Sequence, residues 1–347
     1  MDRRSGRRFQ GRPDRCAMSD RNPSCAMPEV VVELDPPRAP AFDRYLQAAR
    51  RLQAAGVTHI TIADNSLAHA RLSNVVAAVL LRQAFGLSPI VHLNSRDRNL
   101  LAQQSTVLGL FAAGVRHFLL ISGDALALGD HPDGKAVYET DSLGLMERFR
   151  GLQAGVDFFG RPLEGPLDVC YGGALNLGRT LGPHLRRLAA KADRGARFFF
   201  TQPIFDPADL ERLLEARALL GGRGTLYIGI MPLISAASAR FLAGVPGMNV
   251  PSDVVRALEP YTGEAAIEAG LAQAEALIER AFELGWTRFY LITPYLRAST
   301  TARLARFVLA RRPATGASPA DDVSTGGGTS TRPGASVGVE AAPELGP

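Results

Sequence analysis

The sequence predicts an α/β fold, a single-domain (β/α)8 or TIM barrel, and three observations carry that reading. Short apolar runs alternate with helical stretches eight times over roughly 280 residues. Several runs end abruptly in small or polar residues, the pattern of strands buried on both faces whose carboxyl ends meet ligands. No G-x-G-x-x-G follows the first run, which disfavours a doubly wound open sheet, the other arrangement built from this alternation.

The elements follow in order. Val30 to Leu34 is a short strand that closes in Asp35-Pro36-Pro37, and Phe42 to Ala55 has helical spacing and stops at Gly56. His59 to Ala63 is the second strand. Asp64-Asn65-Ser66 follows it, then a helix from about Arg71 to Phe85 that ends at Gly86. Pro89 to Leu93 is the third strand, with a helix from near Arg98 to Gly114. The fourth, His117 to Ile121, ends in Ser122-Gly123-Asp124. A polar loop, Gly129 to Asp141, leads to a helix through Arg150. The fifth strand spans Leu167 to Leu175 and the sixth Arg197 to Thr201, with helices Pro183 to Asp193 and Pro207 to Leu220 after them. Leu226 to Met231 is the seventh, followed by helical pieces to Leu258 and a long helix from Glu264 to Leu284. Phe289 to Thr293 is the eighth, and a helix from Ser299 to Ala310 closes the pattern.

The barrel is expected over residues 28–314. Residues 1–27, rich in Arg, Ser and Pro, and residues 315–347, nearly all Gly, Ser, Thr, Pro and Ala, read as disordered tails. Met18 and Met27 offer alternative starts, and no apolar segment follows Arg3-Arg4 as a twin-arginine signal needs. Hydrophobic residues make up 46% of the 347, enough for a large core, yet no run reaches the roughly 18 to 20 apolar residues of a membrane helix. The net charge of +5 owes most to the first 28 residues, where seven Arg face three Asp, so it does not point to nucleic acid. Cys16, Cys25 and Cys170 have no metal spacing and form no even disulfide set. That fits a reducing, cytoplasmic setting.

In a barrel the strand ends share one mouth, which gathers Glu33, Asp64, Asn65, His92, Arg96, Asp124, Asn176 and Gln202. Alternation directs Glu33 into the barrel top, where burial would raise its pKa and make it a general acid. The alternative is a structural carboxylate paired with Arg38. Gly123 lets a flat ligand lie against bare backbone, and Asp124 offers a charge or acceptor, or else the pair is a turn. His92 is either a core histidine or a donor to a cofactor. Arg96 and Arg98 open a helix where their charges mildly favour anion contact. Lys191 suits a helix C-terminus or a phosphate. Gln202 offers both donor and acceptor to a pterin or amide edge. No nucleophile triad, P-loop or metal motif occurs.

These strand ends resemble the methylenetetrahydrofolate reductase family, nearest to the reductase half of bifunctional homocysteine methyltransferase/methylenetetrahydrofolate reductases. The matching stretches include Val32-Glu-Leu-Asp-Pro-Pro37, Ile62-Ala-Asp-Asn-Ser-Leu-Ala68, Arg71-Leu-Ser-Asn74, Val91-His92, Arg96-Asp-Arg-Asn99 and Gly123-Asp124. Val137-Tyr138, Thr201-Gln-Pro-Ile-Phe205, Ile228-Gly-Ile-Met-Pro-Leu233 and Leu291-Ile-Thr-Pro294 continue the match in order. The resemblance implies reduction of 5,10-methylenetetrahydrofolate to 5-methyltetrahydrofolate by FAD, with NADH or NADPH as donor, in ping-pong fashion. It implies Glu33 as proton donor and Asp124 as the carboxylate beside flavin and folate. Gln202 would contact folate and nicotinamide in turn. Asp64, His92, Ser122, Gly123, Asp124, Tyr138, Asn176 and Lys191 would lie at the FAD. It further implies a cytoplasmic homo-oligomer that serves methionine synthesis, with no metal, nucleic-acid or membrane partner.

The sequence departs from the family at Asn94-Ser95, Ser122, Ala125, His184, the expected loop 235–240 and Tyr295, which stands where single-function enzymes carry a folate-contacting Arg. Two other readings follow from these departures. One is a flavin- or folate-binding subunit that docks a protein partner through residues 235–240. The other is a flavin oxidoreductase acting on a non-folate substrate.

Overall fold

The computed structural model describes residues 28–311 except 41, 179 and 246. The two expected tails lie outside the described residues. Eight parallel strands close into a barrel in chain order. They are β1 (Glu29–Glu33), β2 (His59–Ile62), β3 (Ser88–Asn94), β4 (His117–Ile121), β5 (Cys170–Leu175), β6 (Phe198–Pro203), β7 (Thr225–Ile230) and β8 (Arg288–Ile292). The closing seam sets Val31 opposite Tyr290 and Glu33 opposite Ile292. The helices are α1 (Asp43–Ala54), α2 (Asn74–Phe85), α3 (Leu100–Ala112), α4 (Ser142–Gln153), α5 (Gly182–Asp193), α6 (Pro207–Leu220), α7 (Ala236–Ala243), α8 (Ser252–Leu258), α9 (Gly263–Glu283) and α10 (Ala298–Leu309).

Strand period sorts the side chains. Val30, Val32, Ile60, Ile62, Val91, Leu93, Phe118 and Leu120 point outward into the main core under the helices. Val31, Ile90, Leu119, Phe200, Tyr227 and Tyr290 point inward and fill the barrel. Phe200 stacks on Tyr290 with ring centres 4.4 Å apart, and this aromatic layer forms the floor beneath the mouth. At the opposite end Glu29 pairs with Arg288 at 2.9 Å and accepts the Tyr227 hydroxyl at 2.9 Å, tying β1, β7 and β8.

Several boundaries differ from expectation. The second helix starts at Asn74 rather than Arg71. A single 3-10 turn, Ser66–Ala68, precedes it, with Asn65, Leu67 and Ala68 in the left-handed region. The third helix starts at Leu100, where the Asn99 side chain caps the Ala102 amide. The fifth strand begins at Cys170, not Leu167. The sixth runs on through Pro203 because the Thr201 hydroxyl takes the Gly229 amide at 2.7 Å across a register shift. Residues 235–240 are not a loop: Ser235 and Ser238 cap each other reciprocally and start α7. Cys170 is disulfide-bonded, which corrects the cysteine reading. Among the described residues no helix is long and apolar enough to cross a membrane.

Candidate active site

The carboxyl ends of the strands surround a cavity of about 740 Å³. Glu33, His92, Ser122, Gly123, Asp124, Asn176, Lys191 and Gln202, eight of the expected site residues, all line it. Glu33, His92 and Gln202 arrive through strand parity, each in register with the inward-facing residue two positions before it.

Glu33 ends β1 with a small opening to the cavity and protein on its other sides. Its Oε2 accepts the hydroxyl of Tyr290. Burial and the neighbouring Asp35 push the Glu33 carboxyl up to about 8, against the opposing pull of the Tyr290 hydrogen bond and Arg71. The group therefore keeps its proton at neutral pH. Arg38, the partner considered for it in a structural role, pairs instead with Asp130 at 2.6 Å. Asp35 accepts the Ser66 hydroxyl at 2.7 Å and faces Arg71 at 3.3 Å, while its Oδ1 is buried without a partner.

His92 lies in the cavity wall with Nε2 buried and unpartnered. Burial drives its pKa down to about 3, so the ring is neutral. Lys191 projects from α5 under the end of β5, where Nζ donates to the Ala174 carbonyl at 2.5 Å. Burial, with Arg187 nearby, lowers its pKa to about 8. Gln202 Nε2 donates to Asn176 Oδ1 at 3.2 Å, so the ends of β5 and β6 present one joined amide pair.

Two expected contacts are placed elsewhere. Asp64 does not line the cavity. It is buried under Arg98 in a two-point pair at 2.7 and 3.0 Å and accepts the Asn94 amide. Tyr138 does not line it either: its ring is exposed, and its backbone, with a φ of 42°, is left-handed. The reading of Arg96 and Arg98 as an anion contact is corrected, because both guanidinium groups are spent internally. Arg96 pairs with Asp97 at 2.6 Å and donates to the carbonyls of Asp124 at 2.9 Å and Asn65 at 3.2 Å. Its side chain is 1% exposed, so it fastens the loops after β2, β3 and β4 to one point. Gly123 is also required for a different reason. Its φ is 89°, and a Cβ there would meet Asn94 at 3.1 Å and Arg96 at 3.2 Å, so the bare side of the residue faces protein rather than ligand. Asp124 is exposed at the rim and its Oδ2 accepts the Leu67 amide at 2.8 Å.

Sequence reasoning missed Tyr290, Asp35 and Arg71. The signal for Tyr290 was the pairing of the last strand with the first, which sets an aromatic hydroxyl one inward layer below Glu33. The cavity also has two unlike walls. The β1 to β5 side carries the charged groups, whereas Met231, Leu233, Phe241, Met248 and Tyr295 make an uncharged wall after β7 and β8. Phe241 is 56% exposed and Tyr295 71%, the latter with a φ of 46°.

An unpartnered imidazole nitrogen and a buried ammonium on one cavity surface fit a ligand that brings ring acceptors or donors together with an anion, as a flavin dinucleotide does. Among the described residues no group of three or more His, Cys, Asp or Glu is arranged to hold a metal ion.

A family model described as methylenetetrahydrofolate reductase matches residues 21–306. A curated relative from Caenorhabditis elegans, described as a probable methylenetetrahydrofolate reductase (NADPH), is 23% identical over 194 residues. That match covers 54% of this chain and 27% of the relative, so the chain spans little more than a quarter of that relative's length. Among solved structures, an uncharacterized Clostridium thermocellum protein that binds two copies of 5-methyl-5,6,7,8-tetrahydrofolic acid superposes with a TM-score of 0.59. It is 11% identical, over 82% of this chain and 95% of that one, a likeness of fold.

Proposed function

We propose that this chain, which belongs to the methylenetetrahydrofolate reductase family, reduces 5,10-methylenetetrahydrofolate to 5-methyltetrahydrofolate with FAD, using NADH or NADPH as the electron donor. The observation that carries this is Glu33: a carboxyl facing the cavity that stays protonated at neutral pH. When bound, FAD supplies hydride transfer, which no side chain can perform.

The chain's own residues do the rest. Glu33 gives its proton to the bridging nitrogen of the folate, opening the five-membered ring to an iminium. Asp124, at the rim, favours that developing cation by charge. The Gln202–Asn176 amide pair offers a donor and acceptors to the pterin edge or to nicotinamide. Lys191 would hold a phosphate of the dinucleotide, and His92 Nε2 would offer the cofactor a hydrogen bond. Ser122 and Gly123 line the cavity and would lie beside the cofactor, and Asp64 acts from behind by holding Arg98 and the Asn94 amide. NAD(P)H and folate use the one cavity in turn, a ping-pong sequence. The product supplies methyl groups to methionine synthesis, from a homo-oligomer.

The test is an absorbance spectrum followed by anaerobic addition of 5-methyltetrahydrofolate. Yellow protein whose flavin band near roughly 450 nm bleaches with the folate supports the reading. Bleaching by NAD(P)H but not by folate would move the substrate elsewhere. Protein that stays colourless and cannot be reconstituted with FAD would remove the cofactor from the reading.

A further inference from the structure

Glu33 is reached from three places outside its own strand. The loop before α2 brings Arg71, the loop after β1 brings Asp35, and β8 brings Tyr290. The other β1 carboxylate, Glu29, is at the opposite mouth with Arg288. Of these neighbours only Tyr290 touches the Glu33 carboxyl, through its hydroxyl on Oε2. Tyr290 is itself fixed. Its ring lies 4.4 Å from Phe200 at an interplanar angle of 15°, and it is 6% exposed.

We propose that Tyr290 is the positioning residue for the proton donor: its hydroxyl holds Oε2, leaves Oε1 to face the substrate, and sets the pH at which Glu33 gives up its proton. This rests on the reading of Glu33 as that donor. The chemistry is directional. A hydroxyl donates best to the ionised carboxylate, so it favours loss of the proton. Burial and Asp35 act the other way. Without Tyr290 the carboxyl would be held protonated further into the alkaline range. It would also be free to rotate, turning its proton away from the substrate. The Tyr290 hydroxyl stays neutral throughout, because burial and the Glu33 charge push its own pKa well above the usual phenol range.

The experiment compares the unmutated protein with Tyr290→Phe, which keeps the ring on Phe200 and removes only the hydroxyl. Glu33 is followed by its carboxyl stretching band in a pH titration by infrared difference spectroscopy, the band being identified by its loss in Glu33→Gln. The expected result is a midpoint that moves up by about one pH unit in Tyr290→Phe. In unmutated protein labelled with 13Cζ-tyrosine, the Tyr290 resonance should shift with the same midpoint as Glu33. A Glu33 midpoint that does not move, or a Tyr290 resonance blind to Glu33, would overturn the inference. If Glu33 behaves as expected and methylenetetrahydrofolate is still not reduced, the substrate reading fails while the hold of Tyr290 on the Glu33 proton stands.

Discussion

Arg96 donates to the main-chain carbonyl of Asp124 at 2.9 Å from a side chain that is almost wholly buried. The same guanidinium pairs with Asp97 and reaches Asn65. A charge so placed acts through the loops it fastens, since it has no path to a ligand. Arg96→Met leaves Asp97 its hydrogen bonds from Asn65 and Asn94 but removes its counter-charge, and should cost about 3 kcal/mol in urea unfolding. Asp124 should loosen with it, lowering kcat. A loss below about 1 kcal/mol, the range of exposed pairs, would show that the fastening is weak.

Lys191 is a buried ammonium, and its titration has a sign. It loses its proton at about 8 in the folded protein and near 10.5 in the unfolded chain, so between those values the unfolded chain binds more protons. Stability must therefore rise with pH across that window, and at pH 7 the fold carries the cost of the charge. Lys191→Met should stabilise the cofactor-free protein at pH 7 by roughly 1–3 kcal/mol, with the gain fading above pH 10. The same variant should bind FAD more weakly, measured by fluorescence quenching of the flavin. Tighter binding would remove Lys191 from the phosphate.

Glu33 has the opposite sign. The folded protein keeps this proton to about 8 while the unfolded chain releases it near 4.5, so the folded state binds more protons between those values. Stability falls as pH rises through that window. Glu33→Gln should flatten that fall and be the more stable form at pH 9, as melting curves at pH 5 and pH 9 would show. Its folate reduction should drop about 100-fold or more while FAD remains bound. Reduction at the parent rate would end the proton-donor assignment.

Tyr295 holds an exposed ring on left-handed backbone at the uncharged wall. Tyr295→Gly relieves the backbone but adds chain freedom, so stability should change by less than about 1 kcal/mol. If the ring covers the substrate's aryl group, the KM for folate should rise about tenfold with kcat kept. An unchanged KM would leave the ring idle.

Much of this site was legible because period two decides which side chains enter a barrel. Glu33, His92 and Gln202 follow from their places in apolar runs, and the eight strands follow from the alternation itself. What was not legible is pairing at a distance. Asp64 and Arg98 stand 34 positions apart, and nothing in either stretch says that the carboxylate is consumed by the guanidinium. Arg96 read as a ligand for anions for the same reason. Gly123 suggests a platform because sequence shows that a Cβ is missing but not the direction in which it is missing. The helical pieces up to Leu258 are legible, but the point where α7 starts is not, because two serines among small residues do not announce that they cap each other.

The Glu33–Tyr290 contact joins positions 257 apart, across the seam where the last strand meets the first. On the ribosome Glu33 emerges early and waits for nearly the whole barrel to be made before its partner exists. Such a long closure is slow to form and leaves the β8-facing edge of β1 open meanwhile. A nascent chain or a C-terminal truncation that ends before β8 therefore holds the carboxyl without its hydroxyl, and the proton donor is finished at the moment the barrel shuts.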